Sequence, residues 1–196
     1  MEGTDARDLG VYRGLRFRAG QVDPVTVDAD LLIVGMPGIV GKAAPIMENS
    51  TLDRALQGAL SRLRAGGLFD GAFGETLVLA RPPAPVRCAS LLIVGMGDGA
   101  AIGPAQLGLL AGVAMRVALQ LDCCSVACLL GFPAPEGPTD RIDQAARAMM
   151  AGVLRAMDAH PDPARFVGMQ WLFDLRAADA KRADPASAHI LHHWPD

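Results

Sequence analysis

The same six residues, Leu-Leu-Ile-Val-Gly-Met, occur at Leu31–Met36 and again at Leu91–Met96. Each is a continuous apolar run that stops in backbone-permissive residues, Pro37-Gly38 after the first and Gly97-Asp98-Gly99 after the second. A run without polar alternation reads as a strand covered on both faces, the pattern of a parallel sheet held between helix layers. Open α/β sheets place ligands beyond the carboxyl ends of such strands. The two glycine loops are therefore the first place to look for a site.

The chain in order alternates strand and helix patterns. A short amino-terminal edge strand is expected over Val11–Arg18, and Val25 leads through a turn into the strand ending at Met36. Gly38 and Gly41 form a loop, with irregular chain over Pro45–Asn49. Ser50 with Asp53 three residues on resembles a capping box. Leu52, Ala55, Leu56, Ala59, Leu60 and Leu63 fall on one helical face, ended by Gly66-Gly67. A strand is expected over Glu75–Ala80, a rigid turn at Pro82, Pro83 and Pro85, and the second repeated strand over Cys88–Met96.

Pro104 suits the first turn of a helix reaching Leu121, apolar nearly all round except for Gln106, Arg116 and Gln120. Such a helix is either deeply packed or faces another subunit, and a subunit contact is the expectation. Ser125–Leu130 is a further strand, closed by a loop over Gly131–Pro138. Thr139 caps an amphipathic helix with Ile142, Ala145, Ala146, Met149, Val153 and Met157 on one stripe. Strand Arg165–Phe173 and a short helix Leu175–Arg182 complete the pattern. The fold class is α/β, a three-layer α/β/α sandwich on a mixed, mostly parallel sheet. Residues 1–196 read as one domain, with loose ends at 1–10 and 184–196.

At this point the order of parts resembles a known family. Glu75-Thr76-Leu77-Val78-Leu79 after a glycine-rich link, then Leu91–Gly97, a small-residue helix and Ser125-Val126-Ala127 resemble the amino-terminal domain of the M17 leucyl aminopeptidases, over roughly residues 25–173. The resemblance implies a macro-domain-like fold. It also implies that the two metal ions and the catalytic lysine and arginine belong to a following domain, whose Asn-Thr-Asp-Ala-Glu-Gly-Arg-like signature is not found in these 196 residues. No catalytic residue is carried over.

The residues themselves point the same way. Two-metal hydrolysis needs carboxylates converging on paired ions, whereas Asp28 with Asp30, Glu48 with Asp53, and Asp140 with Asp143 read as caps and solvated faces. His189, His192 and His193 read as an exposed patch. No nucleophile elbow, Walker loop or His-Glu-x-x-His helix occurs. The glycines after Val94 do not run directly into a helix, as a dinucleotide fingerprint requires, because helix formation waits for Pro104.

The candidate ligand-binding residues are Asp30, Gly35, Gly38, Gly95, Gly97, Asp98 and Gly99. Asp30 resembles in placement the aspartate with which macro domains bind ADP-ribose. Against a phosphate, Pro37 lacks a backbone donor and Asp98 adds negative charge. No catalytic residue, metal or cofactor is assigned.

The formal charge of -3 offers no bulk attraction to nucleic acid. Arg13, Arg16 and Arg18, and Arg54, Arg62 and Arg64, read as solvated. Cys88, Cys123, Cys124 and Cys128 sit in apolar runs and are expected to be buried, reduced thiols. The acidic start is unlike a secretory signal, and Leu107–Leu119 is too short to span a bilayer, so a cytoplasmic protein is expected. The functional expectation is a non-catalytic domain that binds a second copy of itself or a separate protein partner. The alternative is a nucleotide or ADP-ribose type binder at the glycine loops.

Overall fold

The structure, a computed structural model, describes residues 6–38, 50–99, 101–131, 139–174 and 188–195, with side chains in the fourth of these from Ile142 onward. Among them seven strands form one sheet: β1 (Arg7–Tyr12), β2 (Leu15–Gly20), β3 (Leu31–Met36), β4 (Thr76–Ala80), β5 (Ser90–Gly95), β6 (Ser125–Leu129) and β7 (Gln170–Asp174). Their order is β1-β2-β7-β6-β3-β5-β4. The five central strands are parallel, and the edge strands β1 and β4 run antiparallel to their neighbours. This is the mixed, mostly parallel sheet expected from the apolar runs.

The two copies of the repeated hexapeptide are neighbours, β3 beside β5, in a register slipped by one residue: Leu32 lies against Leu91 and Ile33 against Leu92. Because side chains alternate along a strand, the slip sends equal letters to opposite faces. Leu31, Ile33, Leu92 and Val94 join one core, and Leu32, Val34, Leu91 and Ile93 the other. Helices α3 (Pro104–Gln120) and α4 (Thr139–Asp158) cover the first face; α1 (Thr51–Ala55) and α2 (Ala59–Ala65) cover the second. These are the three layers.

The apolar girth of α3 is accounted for inside the chain. It lies between the sheet and α4, with Leu107, Leu110, Ala111, Ala114, Met115 and Ala118 fully buried. Leu109 remains 59% exposed. The chain itself therefore covers most of α3.

Three further expectations are corrected. The single amino-terminal strand is a hairpin, because Arg13 (φ 47°) and Gly14 (φ 88°) both take the left-handed conformation that a tight primed turn requires. The single helix after Ser50 is two, broken where Gln57 (φ 56°) and Gly58 (φ 77°) turn left-handed. The break is held by Asp53. Ser50 Oγ accepts from the Asp53 amide at 3.0 Å, as a capping box predicts. The Asp53 carboxylate instead accepts from the Leu60 amide at 2.9 Å, the Ser61 amide at 3.3 Å and the Ser61 hydroxyl, capping α2. Finally, Pro163–Phe166 is a 3-10 turn, so β7 begins at Gln170 rather than Arg165.

Within the described parts of the two ends, several residues have partners. Arg7, Asp8 and Gly10 of β1 pair with Ala19, Arg18 and Phe17 of β2. The 188–192 helix buries Leu191, and Trp194 Nε1 donates to Asp158 at 2.8 Å. The expected loops around Gly41, Pro45–Asn49 and Pro138, and the expected helix Leu175–Arg182, lie outside the described residues.

Candidate functional site

Beyond the carboxyl ends of β3 and β5, the two glycine loops meet each other and a third segment, the link 69–74. The Gly38 amide donates to the Gly97 carbonyl at 2.7 Å, and the Gly97 amide to the Gly71 carbonyl at 2.9 Å. Met96 donates to the Met36 carbonyl at 2.9 Å, and Gly95 to the Glu75 carbonyl at 2.7 Å. The link is itself drawn in by Glu75, whose carboxylate accepts from the Asp70 amide at 3.1 Å and the Ala72 amide at 3.0 Å.

Glycine is required here for close approach of backbones. A Cβ on Gly95 would sit 2.0 Å from the Ala72 carbonyl oxygen, and one on Gly71 would sit 2.8 Å from the Pro37 carbonyl oxygen. Gly35 instead makes room for the Met96 side chain, whose sulfur would lie 2.4 Å from an added Cβ. Gly38, Gly95 and Gly97 are thus brought together, but their amides are spent within the chain. A phosphate cradle needs such amides turned toward the ligand. Asp98 and Gly99 follow in the same loop, with Asp98 exposed.

Asp30 lies elsewhere. It precedes β3, so it sits at the opposite end of the sheet from loops that follow β3 and β5. There its Oδ2 accepts from the Cys124 amide at 2.7 Å and the Ser125 amide at 2.8 Å, while its own amide donates to Ser125 Oγ at 2.8 Å. Asp30 therefore clamps the start of β6 against β3, and its grouping with the glycines is corrected. Asp30→Ala removes the acceptor of two amides with a charged partner, and urea unfolding is expected to show a loss of about 2 kcal/mol.

The sequence profile described as cytosol aminopeptidase family, N-terminal domain, matches residues 33–157, from β3 to the end of α4. The chain belongs to this family. A tomato leucine aminopeptidase variant is similar over 90% of this chain, at TM-score 0.66 and 20% identity, and the chain spans 35% of that enzyme's length. A macrodomain variant from Oceanobacillus iheyensis is similar over 96% of this chain and 98% of its own, at TM-score 0.62 and 14% identity. A Trypanosoma brucei macrodomain in complex with ADP-ribose is similar over 95% of this chain and 74% of its own, at TM-score 0.61 and 15% identity. At such identities the likeness establishes the macro-like fold. No curated protein sequence matches the chain.

The other candidate groups in this cytosol aminopeptidase N-terminal domain have local duties. Among the described residues, no three His, Cys, Asp or Glu side chains are grouped to hold a metal ion. His189 and His193 stack with ring centres 4.3 Å apart, as helical spacing predicts, but His192 turns toward Gly10. Arg16 pairs with Asp8, Arg13 with Asp158 at 3.1 Å, and Arg18 donates to the Ala6 carbonyl at 3.1 Å. Arg64 is buried and donates to the Pro37 carbonyl at 2.7 Å, bracing the first glycine loop from α2. Among the described residues no helix is long and apolar enough to cross a membrane.

The 69–74 segment reads from sequence as a glycine-rich link, but its place at the glycine loops and the Arg64 brace do not. Their only signals were Gly71 and Gly74 before Glu75, and an arginine on an otherwise exposed helix face.

The thiols depart from expectation at one position. Cys88, Cys123 and Cys128 are buried, and burial pushes the first two up to about 11 and the third to about 12. Cys124, beside the Asp30 clamp, is exposed. A thiol reagent at neutral pH is expected to modify Cys124 rapidly in the native protein and all four cysteines only in denaturant, since the thiolate is the reacting form and needs access.

Proposed function

We propose that this chain is a non-catalytic binding domain of the cytoplasm, acting by association with protein: a second copy of itself or a separately encoded chain. The observation that carries this reading is the bonding of the two glycine loops to each other and to the 69–74 link among the described residues. The amides of Gly38, Gly95 and Gly97, which a small anionic ligand would need, bond to Gly97, Glu75 and Gly71 carbonyls instead. The family match supports it further, because it covers the amino-terminal domain of an aminopeptidase family.

Three measurements on the purified protein test the reading. A leucyl chromogenic substrate with added manganese or zinc is expected to remain intact, and metal-dependent hydrolysis would overturn the proposal. ADP-ribose is expected to leave the unfolding curve unmoved. A bound ligand at a hundred times its dissociation constant adds about 2.7 kcal/mol, so a shift of that size would favour the nucleotide-binding alternative suggested by the macrodomain likeness. Light scattering is expected to report association.

A further inference from the structure

The two edges of the sheet are built differently. Strand β1 carries Arg7 and Asp8, and its register slips between Asp8 and Gly10. Charges and bulges of this kind protect an edge from pairing with another strand. Strand β4, at the other edge, is Thr76-Leu77-Val78-Leu79-Ala80, with no charge, proline or bulge, and Val78 is 39% exposed.

Which of its backbone groups bond to β5 and which have no partner among the described residues can be assigned. Glu75 accepts from Gly95 and Arg81 donates to Ala89, both extending the β4–β5 register. Antiparallel ladders alternate bonded and non-bonded pairs. Leu77 and Leu79 therefore bond to β5, and Thr76, Val78 and Ala80 turn their N–H and C=O groups outward. All three of those residues are exposed, whereas Leu77 and Leu79 are half-buried against the α1–α2 core.

We propose that two copies of this chain pair antiparallel along β4, with Val78 opposite Val78 of the second copy. The proposal rests on the reading of the chain as a protein-binding domain and names its partner and surface. Three features converge on this register. The outward groups of Thr76, Val78 and Ala80 meet Ala80, Val78 and Thr76 of the second copy, so every facing pair is of the hydrogen-bonded kind. The exposure pattern of β4 is symmetric about Val78, so half-buried leucines face each other on one side and exposed residues on the other. The same two-fold operation brings the Glu75 end of one β4 beside the Arg81 end of the other at both ends of the pair, with the Glu75 carboxylate also accepting from the Asp70 and Ala72 amides and Arg81 turning out of the strand at φ 51°. Opposite charges across strands stabilise a pair, and a two-fold interface supplies the match twice.

A five-residue edge is small beside a standard interface, so the dimer is concentration-dependent. In a dilution series the light-scattering mass is expected to rise from the 20.5 kDa of one chain toward twice that value. Val78→Lys sets two ammonium groups together at the two-fold axis, and Arg81→Glu sets carboxylate against carboxylate. Each is expected to weaken association at least tenfold while leaving the circular dichroism spectrum unchanged. Amide exchange at Val78 and Ala80 is expected to slow with rising protein concentration while Leu77 and Leu79 stay constant, a readout that holds even if a variant fails to fold. A single-chain mass at every concentration overturns β4 pairing and restricts the wider reading to a separate partner. A dimer that both variants preserve overturns β4 pairing alone.

Discussion

Gly152→Ala is expected to destabilise the protein by about 3 kcal/mol, although alanine is the better helix former by about 1 kcal/mol. Gly152 lies on α4 facing α3. A Cβ there would come within 1.9 Å of the Gly108 carbonyl oxygen, and the neighbouring atoms are Gly108 backbone as well. Helix backbone cannot rotate away as a side-chain tip can, so α3 and α4 must separate. That separation loosens Met115, Met150, Val153 and Leu154, all fully buried in the core these helices share with the sheet. Dispersion contacts fall off within an ångström of separation, and a close-packed interior does not refill the gap. The cost should grade with the approach at each position. It is expected to be largest at Gly152, smaller for Gly108→Ala, where the nearest atom is the Ala148 carbonyl oxygen at 2.6 Å, and least for Gly112→Ala, at 3.0 Å from the Gly152 carbonyl oxygen. Urea midpoints at unchanged slope measure this, and a rank order following helix propensity instead would refute the close-packing account.

The parts of the fold legible in the sequence are those whose signal is local and periodic. The Leu-Leu-Ile-Val runs announce buried strands because every position is apolar, and Pro104 marks the start of α3 because proline is harmless there. The turn at Arg13-Gly14 was not legible, since the apolar residues Val11, Leu15 and Phe17 flank it without a break. The interruption at Gln57-Gly58 was hidden for the same reason: Leu52, Leu56, Leu60 and Leu63 keep helical spacing across it, and the cap that stabilises the break comes from Asp53. Asp30 differs. A residue before a parallel strand must lie at the opposite edge from the loops after that strand, so its separation from Gly35 and Gly38 was already implied by its position. At the glycine loops the sequence located the meeting point but not its occupant, because the link 69–74 reaches it through tertiary contacts alone.

The occupant makes the strongest prediction at the candidate site. Gly95→Ala is expected to cost about 3 kcal/mol, whereas Gly35→Ala, at the equivalent position of the repeated hexapeptide, is expected to cost about 1 kcal/mol. Both glycines end buried strands, and both lack room for a methyl group. What the methyl would meet decides the difference. At Gly35 it meets the thioether of Met96, a flexible side chain able to shift. At Gly95 it meets the Ala72 carbonyl oxygen at 2.0 Å and the Gly71 carbonyl carbon at 2.8 Å, so the link itself must lift. Lifting it strains the Gly97–Gly71 bond and, through Gly97, the Gly38–Gly97 bond. Amide exchange at Gly38 and Gly97 should then accelerate in Gly95→Ala well before global unfolding, while the β3 and β5 interiors stay protected. The same variant bears on function. If the closed link excludes small anions, lifting it frees the Gly38 and Gly97 amides, and Gly95→Ala should gain weak stabilisation by phosphate that the native protein lacks. If the loops are instead a working ligand site, the native protein should be stabilised and the variant should lose that stabilisation. The two accounts predict opposite signs for one substitution measured by one thermal shift.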